Sequence, residues 1–275
     1  MNEIAIFEPM MGIQPGSISA HPTIPNQFIM TDYFSPGLIE FDVVETSDGL
    51  EMRRIARDGW VYLPAPSTDK VRIFPEIMPG SDAKRVQSVS YGPSDSILVV
   101  RNGELDRIWM LLPTGEETTR WRLADRPIRL TGGDNTAYIE SIAYSEARSA
   151  QLIVVRSRQN GTDAFVECYS NESAYIHVYI GTISYAPKTP WLYGLGNRNQ
   201  NLYYVTGPEN GIAVTRGIYC DRELVTPGVT GHGIAFMDDA ALIPSYGFNV
   251  GDFGQPGAIV RVPWHMIGDT DPSDV

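Results

Sequence analysis

The stretch SVSYGPSDSILVVR, residues 88–101, contains an apolar-x-Tyr segment, a polar turn and four consecutive apolar residues that end in an arginine. The same order returns 53 to 55 residues later, in SIAY at residues 141–144 and AQLIVVR at residues 150–156. Short apolar runs rich in β-branched residues, separated by turn residues, predict strands joined by turns. The stretch therefore predicts a β-hairpin repeat, with a fainter third copy in residues 192–205.

Asn-Gly dipeptides mark the tip of a hairpin in each copy. They lie at Asn102-Gly103, Asn160-Gly161 and Asn210-Gly211. Asn-Gly favours the type I′ turn, whose twist matches that of two paired strands. A repeat of about 50 residues with four short strands is typical of a propeller blade, and the chain has room for about five of them.

The composition agrees with a folded β protein and argues against a nucleic-acid binder. Apolar residues make up 43% of the 275 residues, and 26 glycines and 20 prolines supply turns. The formal net charge is −12. The densest basic cluster, Arg53, Arg54 and Arg57, is flanked by Glu51 and Asp58. Since tight binding to a nucleic-acid backbone needs a basic surface, we do not expect it here.

These patterns predict an all-β fold of antiparallel hairpins in propeller-blade-like repeats, followed by a small β-sandwich or barrel-like domain. The predicted divisions are an extended N-terminal docking arm (1–35), a propeller-like β domain (36–172), a second β domain (173–265) and an acidic flexible tail (266–275). The arm lacks a clear period, and its apolar residues predict that it docks on a surface. One helix is predicted near residues 48–57.

Neither a targeting segment nor a membrane span is indicated. Residues 1–16 contain no basic segment and no long apolar stretch, so no signal peptide is predicted. No run reaches the roughly 20 apolar residues of a transmembrane helix. Cys168 and Cys220 lack metal-site spacing, and four scattered histidines do not supply it. Two buried reduced thiols are the favoured interpretation of the cysteines, and a disulfide is the alternative.

Five pieces of sequence between residues 86 and 170 keep a fixed order. They are DSILVVRNGEL at 95–105, TTRW at 118–121, YIESIAY at 138–144, LIVVR at 152–156 and, after the Asn160-Gly161 turn, FVE at 165–167. In order and spacing they resemble the tail nozzle (tail tubular protein B-like) and large tail proteins of short-tailed bacteriophages. Residues 202–214 are more loosely similar to the small β domain that follows there. Members of that family are usually much longer, so the resemblance implies a shortened or split relative.

The resemblance implies a structural virion protein, a phage tail or tail-tip (nozzle-like) component that assembles in the host cytoplasm. Its partners would be copies of itself in a homo-oligomeric ring, such as a hexamer, and other virion tail proteins. DNA would pass through the ring without specific binding, and an acidic lumen agrees with the net charge of −12. The resemblance also implies no cofactor and no enzymatic step.

Carboxylate pairs supply the main enzymatic alternative, a glycoside hydrolase. The candidate acids are Asp134, Glu140, Asp163, Glu167, Asp238, Asp239 and Asp252. Asp134 and the Asp238-Asp239 pair fit turns, and strand alternation predicts that Glu140 and Glu167 point outward. His232 is interpreted as a loop histidine and His265 as part of a packing patch. No catalytic, cofactor-binding or metal-binding residue is therefore predicted, and the chain is not expected to be an enzyme.

Aromatic residues motivate the other alternative, a carbohydrate-binding or receptor-binding β module. Exposed aromatic rings can stack on sugars or anchor an interface, although in strands they more often belong to the core. The candidate interface or glycan contacts are Tyr175, Tyr179, Trp191, Tyr193, Tyr203 and Trp264.

Overall fold

The computed structural model describes most of the chain and shows that it is built almost entirely of strands, which confirms the all-β prediction. The described residues are 5–7, 15–32, 37–55, 61–63, 71–73, 86–115, 121–145, 151–159, 162–183, 191–198, 201–207, 211–216, 219–225, 233–244 and 259–267. Within some of these strands the backbone alone is described.

The strands are numbered in chain order. The first twelve are β1 Ala5–Phe7, β2 Pro15–Ala20, β3 Gln27–Asp32, β4 Leu38–Thr46, β5 Gly49–Ile55, β6 Val61–Leu63, β7 Val71–Ile73, β8 Val86–Tyr91, β9 Ile97–Arg101, β10 Arg107–Pro113, β11 Trp121–Leu123 and β12 Ile128–Thr131. The others are β13 Tyr138–Ser145, β14 Gln151–Gln159, β15 Thr162–Ser173, β16 Ile176–Ile183, β17 Trp191–Arg198, β18 Asn201–Gly207, β19 Gly211–Arg216, β20 Tyr219–Val225, β21 Ala235–Phe236, β22 Ala240–Pro244 and β23 Ile259–Pro263. A 3-10 turn at Pro93–Asp95 and the helix α1 at Trp264–Ile267 are short. Within the described residues, no helix has the length and apolar character to cross a bilayer.

Most of the strands form five antiparallel four-stranded units, which we call blades. Blade 1 is β2-β3-β4-β5, blade 2 is β8-β9-β10-β11, blade 3 is β13-β14-β15-β16, blade 4 is β17-β18-β19-β20 and blade 5 is β21-β22-β23-β1. The strands β6 and β7 pair separately, between blades 1 and 2 in the chain. The strand β12 lies between β10 and β16 and joins blades 2 and 3 into one nine-stranded sheet.

The fifth blade combines strands that are far apart in the sequence. The strand β1 pairs antiparallel with β23, with Ile6 opposite Val260. The outer strand of blade 5 therefore comes from residues 5–7, which directly precede blade 1 in the chain. This pairing holds blades 1 and 5 together and so closes the five blades into a ring.

The inner strands of the five blades contact one another in a ring, in the order β2, β8, β13, β17, β21 and back to β2. Each carries, or directly follows, a triplet of a small, an aliphatic and a small residue. The triplets are Ser17-Ile18-Ser19, Ser88-Val89-Ser90, Ser141-Ile142-Ala143, Gly194-Leu195-Gly196 and Gly233-Ile234-Ala235. All five aliphatic residues are buried. The small residues allow five backbones to meet around one axis.

Two kinds of contact hold the inner strands together. Between blades 1 and 2, the Tyr91 N–H donates to Ser19 Oγ at 3.1 Å, and serine hydroxyls serve blades 2 and 3 in the same way. Between blades 4 and 5 there is no room for a side chain, because a Cβ added to Gly196 would lie 2.2 Å from the carbonyl oxygen of Ile234. Serine thus bridges blades 1, 2 and 3, and glycine permits the close contact between blades 4 and 5.

Five apolar cores lie between neighbouring blades, one at each interface. In β9, Ile97 and Val99 pack in the core shared with blade 1, whereas Leu98 and Val100 pack in the core shared with blade 3. Successive side chains of a strand point to opposite faces of its sheet. A blade covered on both faces therefore needs the continuous apolar run that the sequence shows at these positions.

Several predictions about the backbone can be compared with the structure. The two self-similar segments are the inner and second strands of blades 2 and 3, as the repeat predicted, and Gly103 has the positive φ of a turn residue, 81°. The helix predicted near residues 48–57 is wrong, because Gly49–Ile55 is the strand β5, paired with β4 across a tight turn.

The predicted divisions of the chain differ from the arrangement of the blades. The proposed arm of residues 1–35 contains β2 and β3, which belong to blade 1, and β1, which belongs to blade 5. The proposed boundary at residue 172 falls inside β15. Residues 266–275 lie mostly outside the described residues.

Candidate functional site at the channel mouth

A cavity of about 430 Å³ opens where the carboxyl ends of the inner strands converge. Every blade contributes to its wall, through residues 18–22, 90–92, 142–144, 195–196 and 234–238. Concave sites of this size, at which several elements converge, are the usual place for a small ligand. We call this cavity the channel mouth.

His21 lies directly after β2 and provides a polar group in the wall of the channel mouth. Its Nδ1 accepts hydrogen bonds from the backbone N–H groups of Thr23, at 3.2 Å, and Ile24, at 3.1 Å. With Nδ1 engaged as an acceptor, the proton of the neutral ring lies on Nε2. Burial lowers the pKa of His21, although the carboxylates of Asp95 and Glu40 oppose that effect. His21 is therefore a neutral N–H donor at pH 7.

Tyr91, from blade 2, packs against the His21 ring with the ring centroids 4.6 Å apart. Its hydroxyl donates to Oε1 of Glu40 at 3.4 Å, and both residues are almost fully buried. The Glu40 carboxylate thus contacts Tyr91, and Tyr91 in turn contacts His21. This tilted ring contact and the two backbone hydrogen bonds to Nδ1 fix the orientation of the imidazole.

One carboxylate, that of Asp238, lines the channel mouth, and a second, that of Asp95, lies beside His21. Asp95 Oδ1 is 4.0 Å from His21 Nε2, and its side chain is half exposed. Ser94 and Asp95 both have positive φ values, 54° and 57°, which are uncommon for residues with a side chain. Asp238 is exposed and belongs to the blade 5 segment. The loop after β8 thus holds an acid beside the histidine in an unusual backbone conformation.

The part of the wall that blade 5 contributes is largely apolar. Blade 5 contributes Ile234, Ala235, Phe236 and Met237, and Phe236 stacks on Trp264 with the ring centroids 5.4 Å apart. No described lysine or arginine lines the channel mouth. In the part of the chain that the structure describes, no group of three or more His, Cys, Asp or Glu side chains is placed to hold a metal ion. The site offers an N–H donor, carboxylate acceptors and an apolar wall.

The six aromatic residues singled out in the sequence do not form one exposed group. Tyr203 is fully buried in the core between blades 4 and 5, so its side chain offers no surface to a ligand. Trp264 is half-buried near Phe236. Tyr175 and Tyr179 are half-buried in blade 3, where Arg126 covers Tyr175. The side chains of Trp191 and Tyr193 lie outside the described residues.

Most of the described candidate acids are engaged by neighbouring side chains. Asp134 accepts hydrogen bonds from Thr136 and Arg158, Glu140 from Gln87 and Ser157, and Asp239 from Arg261. Of the candidates, Asp238 lines the channel mouth. The side chain of Asp163, and Asp252 and His232, lie outside the described residues, and His265 is exposed on α1.

The prediction that Glu167 points outward is wrong. Its carboxylate is buried and accepts hydrogen bonds from Arg156 Nε at 2.5 Å and from the Tyr169 hydroxyl at 2.6 Å. The reason is that both faces of a propeller blade are covered, so strand alternation does not separate an inner from an outer face.

Sequence reasoning missed His21 because it assigned residues 1–35 to an arm, and it gave Tyr91 and Glu40 no functional role. One signal was available. Ser17-Ile18-Ser19 matches Ser88-Val89-Ser90, so residues 17–19 could have been recognised as an inner strand and His21 as the residue at its end.

Neither a protein-family model nor a curated protein sequence matches the chain. Among solved structures, glutaminyl cyclase from Myxococcus xanthus superposes with a TM-score of 0.51 and 8% identity, over 94% of this chain and 95% of that chain. A protein from Thermus thermophilus assigned as an oxidoreductase (glucose dehydrogenase) has a TM-score of 0.51 and 12% identity, over 94% and 100%. The β-propeller domain of Cps50 (Swd1) from Myceliophthora thermophila matches with a TM-score of 0.42 and 11% identity, over 91% and 70%.

These findings overturn the prediction that the chain is not an enzyme. Two structures share its fold over nearly the whole length of both chains, and both are described as enzymes. The lack of a catalytic motif in the sequence is therefore no argument against catalysis on this fold. At 8% and 12% identity the likeness supports the fold and leaves the reaction open.

Proposed function

We propose that this β-propeller binds a small, hydroxyl-rich ligand of the carbohydrate class at the channel mouth. The observation that carries the proposal is the convergence of one segment from every blade on a single cavity of about 430 Å³. The groups in that cavity suit a sugar. Sugar hydroxyls donate to carboxylates such as Asp238, which lines the cavity, and they accept from the Nε2–H of His21, beside which Asp95 lies.

The apolar wall and the local charge narrow the ligand class further. An aromatic ring such as Phe236 offers a flat apolar surface against which the C–H face of a sugar packs. The carboxylates of Asp95 and Asp238, with no described cation in the wall, disfavour an anionic ligand. A neutral sugar satisfies both requirements.

A glycan array followed by calorimetric titration of the positive sugars tests this proposal. We expect Asp238→Asn and His21→Ala each to weaken binding by roughly tenfold, because each removes a hydrogen bond that involves a charged or buried group. His265→Ala is the matched control, since His265 is exposed on α1 and does not line the cavity. Asp238 is exposed, so Asp238→Asn should fold normally. An array without hits, or unchanged binding by Asp238→Asn and His21→Ala, would refute the proposal.

A virion role is a second candidate, favoured by an apolar ridge on blade 3. Ile176 and Ile180, both in β16, are 45% and 49% exposed. Exposed apolar side chains mark subunit contacts where they join into one patch. The inner strands of one propeller touch, so a DNA channel would require a ring of several copies around it.

Light scattering of the purified protein tests the second candidate. We expect an oligomer that Ile180→Lys dissociates, because a buried charge at a subunit contact is costly. Ile24→Lys is the control, since Ile24 is 48% exposed but lies in blade 1. A monomer at all concentrations would count heavily against the tail-ring role.

A further inference from the structure

The strand β12 creates an unusual row of side chains at the rim of blades 2 and 3. It pairs antiparallel with β10, placing Arg129 opposite Arg107, and parallel with β16, placing Arg129 opposite Ile176. Residues directly opposite each other in neighbouring strands project from the same face of a sheet. Two arginines and an isoleucine therefore lie side by side on one surface.

The arginine pair is only partly neutralised, by longer ion pairs with two carboxylates. Like charges directly opposite each other in a sheet are destabilising. Asp106 lies 3.6 Å from Arg107 and 3.8 Å from Arg129, beyond hydrogen-bond range. Glu104 is shared between two arginines, since its Oε2 is 3.6 Å from Arg107 while its Oε1 accepts a hydrogen bond from Arg101 at 2.5 Å. Arg129 remains 69% exposed.

A third arginine faces the same space. The guanidinium of Arg126 lies 4.4 Å from the centroid of the Tyr175 ring, and no described carboxylate forms an ion pair with it. These residues, together with Pro127, line a cavity of about 530 Å³. In a chain with a net charge of −12, three guanidinium groups line this cavity with one carboxylate, that of Asp106, and the nearby Glu104 carboxylate is shared between Arg107 and Arg101.

We propose that this cavity, the arginine groove, binds an organic phosphate monoester whose apolar or aromatic body packs against Tyr175 and Ile176. Guanidinium groups bind phosphate oxygens in a bidentate manner. A phosphate monoester carries close to two negative charges at neutral pH, which balances the excess positive charge of the groove. The ligand would relieve the Arg107–Arg129 repulsion. This site is distinct from the channel mouth, and it stands whether or not the channel mouth binds a sugar.

Calorimetric titration with phenyl phosphate, with inorganic phosphate as a second probe, tests the site. We expect phenyl phosphate to bind more tightly than inorganic phosphate, since Tyr175 and Ile176 contact its ring, and both to bind less tightly as the salt concentration rises. Arg129→Gln and Arg126→Gln should each weaken phenyl phosphate binding about tenfold or more. Arg122→Gln is the control, because Arg122 is exposed in β11 and does not line the groove.

Thermal melting separates a binding role from a structural one. Without ligand, Arg129→Gln should melt at the same temperature as the wild type or higher, because it removes a like-charge pair. Phenyl phosphate should raise the melting temperature of the wild type and leave that of Arg129→Gln unchanged.

The proposal is overturned if phenyl phosphate does not bind, if Arg126→Gln and Arg129→Gln bind it as the wild type does, or if Arg122→Gln loses as much binding affinity as they do. Tighter binding of a single-stranded oligonucleotide than of phenyl phosphate would also overturn it.

Discussion

The side-chain hydroxyl of Ser88 accepts a hydrogen bond, 3.1 Å long, from the backbone N–H of Ile142 on the inner strand of the next blade. Ser90 does the same for Tyr144, and Ser19 for Tyr91. An inner strand has no further strand beside it in its own sheet, so some of its N–H groups lack a partner there. A serine of the preceding blade supplies that partner, and the ring can close without leaving those groups unsatisfied.

Replacing Ser88 with alanine should therefore destabilise the fold. The substitution leaves the buried Ile142 N–H without its acceptor, which costs about 1–3 kcal/mol of unfolding free energy. Urea denaturation measures this loss. Ser94→Ala is the control, because Ser94 is exposed beyond the end of the same inner strand. Equal stability of the wild type and Ser88→Ala would show that the bridge is dispensable.

The close contact between blades 4 and 5 makes a second prediction. A Cβ at position 196 would meet backbone, 2.2 Å from the Ile234 carbonyl oxygen, so the two inner strands would have to separate. We expect Gly196→Ala to cost about 1–3 kcal/mol, as overpacking of a core does. Gly181→Ala is the matched control, since no atom lies within 4 Å of its added Cβ. Calorimetric melting of both variants checks this, and equal melting temperatures would contradict it.

The features that the sequence predicts best are those that depend on residues adjacent to one another in the chain. Asn102-Gly103 is a turn because its chemistry suits positive φ at Gly103. The apolar run of β9 predicts a strand, and its burial on both faces follows from packing between blades. The failure at β5 is also local, because Ser47 and Asp48 suit both a helix cap and a tight hairpin turn. The antiparallel pairing with β4 selects the turn.

Features that depend on closure of the ring could not be predicted from the sequence. The pairing of β1 with β23 joins residues 5–7 to residues 259–261, and three residues carry too little pattern to indicate it. His21, Tyr91 and Asp238 come together only because three different blades converge on one axis. The arginine groove likewise depends on the parallel pairing of β12 with β16. Such sites follow from the topology, which local periodicity does not specify.

Even the conservative replacement of Arg156 by lysine should lower the free energy of unfolding substantially. Its fully buried guanidinium donates to Glu167, to the Tyr169 hydroxyl and to the carbonyl oxygens of Leu105 and Ala137. A lysine has one nitrogen and cannot reach all four acceptors. We expect Arg156→Lys to cost about 3 kcal/mol, because it leaves buried polar groups unpaired. Arg158→Lys, at a half-exposed position nearer the end of the same strand, should change stability by less than about 0.5 kcal/mol. Chemical denaturation of the two variants compares them directly.

His177 should make the stability of the protein depend on pH between about 4 and 6.5. Its imidazole is buried in β16, and burial lowers the pKa of His177 from 6.5 to about 4. In that window His177 is protonated in the unfolded chain but not in the folded chain. The contribution of the neutral His177 to stability is therefore fully present above pH 6.5 and decreases as the pH falls towards 4. The loss attributable to this group is roughly 3 kcal/mol at most.

Urea denaturation of the wild type and His177→Asn across this range measures it, and the variant should lose less stability on acidification. His265→Asn, at an exposed position, should retain the wild-type dependence. Identical pH dependence in the wild type and His177→Asn would show that His177 titrates in the folded protein as it does in the unfolded chain.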